Sequence, residues 1–174
     1  MKKTRLERPF YSRPTLVVAR ELLGKYLIIG NQIGQIIETE AYLGPEDRAS
    51  HARFKSRKRN YLMFGQAGIA YVYFTYGMYH MLNIITEKEG QPGAVLIRAL
   101  KPIQNIDGDT SGPGKLTRTL NITKLQNGLD VTQNSLYLEK WEDISNAVVL
   151  TTPRIGIDYA GADKNNPWRF LIKS

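Results

Sequence analysis

Residues 71–77, Tyr-Val-Tyr-Phe-Thr-Tyr-Gly, constrain the fold of this chain more than any other stretch. Aromatic and β-branched residues run without a break into a glycine, which is the pattern of a strand ending in a sharp turn. Side chains alternate faces along a strand, so Tyr71 and Tyr73 point one way and Val72 and Phe74 the other. Tyr76 then falls near an exposed hairpin tip, and Asn83 to Thr86 forms the returning strand. A tyrosine stripe is more often packing than a platform for a flat ligand, so its meaning depends on its surroundings.

Those surroundings begin with a second β-rich segment. Tyr26 to Ile29 and Ile33 to Tyr42 read as a hairpin around Gly30-Asn31-Gln32. Alternation puts Glu38, Glu40 and Tyr42 on one face, with successive members about 6–7 Å apart. Two carboxylates on one face repel unless one is solvated or paired with a cation, an arrangement that can perturb a pKa; two glutamates facing water fit the pattern as well. Val95 to Leu100 reads as a buried strand ended by Pro102. Its one charge, Arg98, needs an anionic or carbonyl partner, for which a glutamate is a natural candidate.

Apolar residues at helical spacing between Pro14 and Gly24 predict a helix. Short helices are expected from Glu46 to Ala52, ending near His51, and from Leu116 to Leu120. Ile103 to Gly114 reads as a surface loop. Leu136 to Glu139, Ala147 to Leu150 and Arg169 to Ile172 read as short strands. The 174 residues predict one domain with no repeat or linker.

The net charge of +8 suits a polyanionic partner. Arg53, Lys55, Arg57, Lys58 and Arg59 crowd one short segment without apolar periodicity, as in a solvated loop or a phosphate-binding one. Residues 1–13, with Lys2, Lys3, Arg5, Arg8 and Arg13, read as a partly ordered basic arm, most simply a solvated tail. The absence of cysteine excludes disulfides, thiol catalysis and cysteine-ligated zinc. With two histidines, a histidine-rich metal site is not expected. No signal core or membrane span is visible, and a soluble intracellular protein is the default expectation, in cytoplasm, nucleoid or nucleus according to its source. Ser111-Gly112-Pro113-Gly114-Lys115 imitates a phosphate loop, but Leu116 follows where Ser or Thr is required.

Carboxylate, aromatic rings and positive charge together suit an enzyme acting on a base in a nucleic acid. The chain resembles the alkyladenine DNA glycosylases, the mammalian type of 3-methyladenine glycosylase. The resemblance is carried by Glu38 to Asp47, His51, Tyr71 to Tyr79, Asn83, Val95 to Leu100, Ser111-Gly112-Pro113 with Lys115-Leu116, and Pro153 to Gly156, in the family's order across most of the chain.

That resemblance implies an α+β fold: a single mixed domain with a curved, mainly antiparallel sheet and a protruding hairpin that enters DNA. It implies a monofunctional enzyme that flips an alkylated or deaminated purine from the duplex, hydrolyses its N-glycosidic bond and leaves an abasic site. The substrate class spans 3-methyladenine, 7-methylguanine, hypoxanthine and ethenoadenine. Carried over by position, Glu40 activates the water, and Arg98 and the Ile155 carbonyl help to hold it. Tyr42, His51 and Tyr73 sandwich the base, Asn83 screens the purine's 2-position, and Tyr76 is the wedge. Arg53, Lys55, Arg57, Lys58, Arg59, Met78 and Lys115 are candidates for the DNA backbone. No metal or organic cofactor is implied, and the expected partner is damaged double-stranded DNA, bound by a monomer. Residues 53–58 depart from the family, which usually has a Gly and a Thr-Pro pair after the histidine. A non-catalytic nucleic-acid-binding module explains the charge and the tyrosines but not Glu40 beside Arg98. A free-nucleoside glycosidase explains the carboxylate and rings but not the +8 balance.

Overall fold

A computed structural model describes residues 2–54, 58–141 and 148–173. Its framework is a curled, nine-stranded antiparallel sheet. The elements are β1 (Thr4–Arg5), α1 (Arg8–Tyr11), α2 (Thr15–Glu21), β2 (Tyr26–Ile29), β3 (Gln32–Tyr42), β4 (Ala70–Thr75), β5 (Tyr79–Ile85), β6 (Ala94–Gln104), α3 (Pro113–Thr119), β7 (Leu136–Lys140), β8 (Val149–Thr152) and β9 (Arg169–Ile172), with 3₁₀ turns between. The sheet order is β1-β7-β2-β3-β6-β5-β4. The β8–β9 pair joins this sheet through β9 and β3.

β3 is the strand at which the sheet divides. Its first half pairs with β2 and its residues Glu38 to Glu40 with β9, while β6 runs along its other edge. Register shifts flank Glu38, and such irregularities increase local twist and redirect a strand. Alternation then sorts the side chains. Thr39 faces α2, donating its hydroxyl to the Ala19 carbonyl at 2.8 Å, and Ala41 joins the core. Glu38 and Glu40 reach Arg98 on the other side.

The core lies on the α2 face, where Val18, Ala19 and Leu22 meet Ile36, Val72, Leu82, Ile84, Val95 and Ile97. α3 adds Leu116 and Leu120 to it. A smaller cluster on the other face joins Ala52, Met63, Tyr71, Ile85 and Ala94, with Tyr73 against it. α3 sits close to β5 because residue 114 is glycine: a Cβ there would lie 2.4 Å from the Tyr79 ring. Among the described residues, no helix is long and apolar enough to cross a membrane.

Several expectations need correction. The basic N-terminus is not a solvated tail: β1 pairs with β7, Tyr11 is fully buried, and Arg8 bonds Asp130 and the Ala67 carbonyl. Residues 46–50 form turns rather than a helix, because the Asp47 carboxylate accepts the Leu43 and Ala49 N–H groups and competes with helical bonding. β6 passes through Pro102 to Gln104; the register with β3 shifts next to the Gly34–Pro102 pair, and irregularities of this kind tolerate proline. The last helix begins earlier than expected, at Pro113. The strand expected from Ala147 is described from Val149, since Ala147 lies outside the described residues.

The Tyr11 hydroxyl is buried and has no hydrogen-bond partner among the described residues. Tyr11→Phe is therefore expected to be neutral or to stabilise by about 1 kcal/mol, and Tyr11→Ala to cost roughly 3–5 kcal/mol. Thermal or denaturant unfolding of both variants checks this; equal stabilities for all three proteins would mean that the N-terminus is not docked.

Candidate active site

β3 and β6 set the chemistry by placing Glu40 opposite Leu96, next to Arg98. The Glu40 carboxylate has no solvent exposure. Its Oε1 accepts the Ile155 N–H at 2.7 Å, and its Oε2 accepts the Tyr42 hydroxyl at 2.7 Å. The Arg98 guanidinium lies 3.5 Å from Oε2. Arg98 Nε also donates to Glu38 at 2.8 Å, and Arg169 Nε donates to the same Glu38 oxygen at 2.6 Å. Two carboxylates and two guanidiniums thus balance in one array. Burial alone would raise the Glu38 carboxyl, but Arg169 and Arg98 outweigh it and hold it below the usual carboxylate range. Burial, and then the charge of Glu40, push the Tyr42 phenol well above its ordinary value, so it stays a donor.

In front of this array is a cavity of about 250 Å³. Tyr42, Arg98 and Ile155 line it, so all three groups that hold Glu40 face the same space. β4 contributes Tyr71 and Tyr73, whose shared face follows from strand alternation. His51 joins them from the 3₁₀ turn His51–Arg53, which Ser50 caps through the Ala52 N–H. Asn60 fixes that turn by donating to the His51 carbonyl at 2.6 Å. The His51 ring lies 4.5 Å from the Tyr73 ring, and its Nδ1 is 2.9 Å from the Tyr71 hydroxyl. Burial, then the positive charge of Arg59, lower the His51 pKa and keep the ring neutral at pH 7. The Tyr71 phenol is pushed up to about 12. Asn83, opposite Tyr71 in the β4–β5 ladder, is buried and donates to the Tyr71 and Met81 carbonyls.

The turn between β4 and β5 carries Tyr76 at the cavity mouth, 77 % exposed. Tyr76 and Gly77 both have positive φ, at 52° and 64°, and the Met78 N–H closes the turn on the Thr75 carbonyl. This backbone suits Gly77, but for a tyrosine it costs on the order of 1 kcal/mol. Tyr159 stands 67 % exposed at the same mouth.

Glu40, Arg98, Tyr42, His51, Tyr73, Asn83, Ile155 and Tyr76 therefore converge. Ile155 meets Glu40 through its N–H, whereas the resemblance points to its carbonyl. Met78 is exposed beside Tyr76. Arg59 donates to the Phe74 carbonyl at 2.6 Å, and Arg53 to the Arg48 carbonyl at 3.0 Å; Lys58 is exposed in the adjoining turn. Lys55 and Arg57 lie outside the described residues. Lys115 does not line the cavity; it is 2.8 Å from Asp109, whose carboxyl it holds far below the usual range. Sequence reasoning gave no site role to Arg169, Tyr71 or Tyr159. Of these, only Tyr71 carried a signal, its shared face with Tyr73.

The depressed His51 pKa has a consequence for stability. The unfolded chain takes up a proton below 6.5 that the folded chain resists, so stability is complete above that pH and falls as pH drops through the folded value. Glu38 adds its own loss only below 4.5. Melting temperatures between pH 7.5 and 5 are expected to fall for the wild type and to fall less for His51→Gln. Parallel curves would remove His51 as the cause.

Comparison with known proteins gives this geometry a context. The family model for methylpurine-DNA glycosylase (MPG) matches residues 9–174. A Legionella pneumophila (strain Corby) protein named "Putative 3-methyladenine DNA glycosylase" is 47 % identical over 173 residues, covering 97 % of this chain and 94 % of its own. Proteins of the same name from Wolbachia sp. subsp. Brugia malayi (strain TRS) and Methanocella arvoryzae are 50 % and 46 % identical, covering 96 % and 97 % of this chain and 96 % and 92 % of their own. With the match running from α1 to the last residue, the chain belongs to the methylpurine-DNA glycosylase family.

Proposed function

We propose that this protein excises alkylated purines from duplex DNA by hydrolysing the N-glycosidic bond with a water activated by Glu40. The observation that carries this reading is a fully buried carboxylate held by Tyr42, Ile155 and Arg98 behind a cavity walled by aromatic rings. Extruding a base costs roughly a few kcal/mol, least where pairing is already weak. Tyr76 offsets part of that cost by filling the vacated stack, which its exposure on a tight turn suits.

The flipped purine enters between Tyr42 and the His51–Tyr73 pair. A 3- or 7-alkylated purine is cationic, and each electron-rich ring attracts it by ~0.5–2 kcal/mol. A neutral His51 adds no opposing charge. Loss of the base gives the sugar oxocarbenium character, which the Glu40 carboxylate stabilises while taking a proton from the attacking water. Each Glu40 oxygen retains acceptor capacity beyond its short bond. The Arg98 contact, the longest of the three, is the one with slack to admit a water. Arg98 and Arg169 together are balanced by Glu38 and Glu40, so the array carries no net charge. Asn83 borders the pocket where it can screen the purine's edge. Arg53, Lys58, Arg59 and Met78 meet the backbone around the hairpin, with Lys55 and Arg57 from the same segment. Lys115 can do so only by leaving Asp109. Hypoxanthine and ethenoadenine are neutral and also require protonation of the leaving base. The enzyme works as a one-domain monomer without a cofactor.

Release of free bases from methylated duplex DNA tests the reading. Wild type is expected to release 3-methyladenine, and Glu40→Gln to be slower by roughly 10²–10⁴-fold with DNA binding retained; full activity in the variant refutes the role of Glu40. Tyr76→Ala is expected to slow excision from duplex DNA about tenfold and from single strands far less. Equal losses on both substrates would count against the wedge.

A further inference from the structure

Resting on that reading, we infer that Arg154 is a positioning residue for the reaction, which sets the Glu40 carboxylate by fixing both of its short hydrogen-bond donors. None of its own hydrogen bonds goes to Glu40. Its Nη1 donates to the Ala41 carbonyl at 3.0 Å and to Asp47 Oδ2 at 2.7 Å. Its Nη2 donates to Asp47 Oδ1 at 2.9 Å and to the Asp163 carbonyl at 3.4 Å. The Tyr42 and Trp168 rings each lie 4.8 Å from the guanidinium. Both ionic side chains are buried.

The two donors on Glu40 are chain neighbours of these contacts. Ile155, whose N–H meets Oε1, follows Arg154 directly. Tyr42, whose hydroxyl meets Oε2, follows Ala41 and has its ring against the guanidinium. Asp47 extends the brace by accepting the Leu43 and Ala49 N–H groups, which fix the chain on either side of the loop leading to His51. A planar guanidinium with a bidentate carboxylate suits this task, because its donors have fixed directions. Lysine keeps the charge but lacks the fork. Buried ion pairs are poor sources of net stability, so a structural role alone accounts weakly for this one.

The test is Arg154→Lys, read in two ways. One readout is the amide proton of Ile155 in a nitrogen-15 spectrum, which needs no activity. In wild type the short bond to Glu40 is expected to shift this amide downfield; in the variant it is expected to move upfield while amides of the α2 core stay in place. The other readout is single-turnover release of 3-methyladenine, expected to fall about 30- to 100-fold with affinity for abasic-site duplex changed less than about twofold. An unmoved Ile155 amide overturns the inference, as does a rate loss matched by an equal loss of affinity. If wild type releases no base, the proposed function fails, and the amide shift still decides whether Arg154 sets the donors. Should Arg154→Lys not fold, the double variant Asp47→Asn with Arg154→Gln leaves no uncompensated buried charge and is judged by the same readouts.

Discussion

A glutamate without solvent contact, at the centre of a sheet, is the constraint on which the rest of this structure depends. Leaving a buried carboxylate uncompensated would cost several kcal/mol. Three separate parts of the chain answer it: a hydroxyl from the same strand, a backbone N–H from the segment after β8, and a guanidinium from β6. Each is held in turn by something else. Glu38, itself bound by Arg169, holds Arg98, and Asp47 with Arg154 holds the segment that presents Ile155. The charges close on themselves, so the site is electrically balanced before any substrate arrives.

The division of the sheet at β3 makes this possible. With partners on both edges, Glu38 to Glu40 are locked in register by β6 and β9. The aromatic wall that faces Tyr42 comes from β4, linked to β3 through β5 and β6, and from the turn carrying His51. A carboxylate fixed in the sheet thus faces rings mounted on a hairpin whose tip reaches into solvent. A protein acting on a flat, positively charged group needs that combination, with precision at the carboxylate and aromatic surface at the mouth.

Much of this was legible in the sequence because it rests on alternation. Tyr71 with Tyr73, Glu38 with Glu40, and Arg98 alone in an apolar strand follow from a period of two. What was not legible depends on partners far along the chain. Nothing local says that Arg169 would meet Glu38, or that Arg154 would meet Asp47, across separations of more than a hundred residues. The N-terminus reads as a tail because its charges hide Leu6 and Tyr11, both buried. Glu46 to Ala52 has helical composition, yet Asp47 spends its carboxylate on nearby backbone N–H groups. Pro102 stops a regular strand, but not one whose register shifts beside it.

In the proposed reaction a base leaves the duplex and comes to rest among Tyr42, His51 and Tyr73, against Glu40. The most direct measurement is the fluorescence of a single ethenoadenine in duplex DNA, followed by stopped flow with the Glu40→Gln variant, which is expected to hold the base far longer than wild type. The proposed reaction gives a concentration-dependent encounter, then a concentration-independent quenching step as the base stacks on the rings, with Tyr73→Ala weakening the quench. Binding with no change in emission, or a quench indifferent to Tyr73, would contradict it.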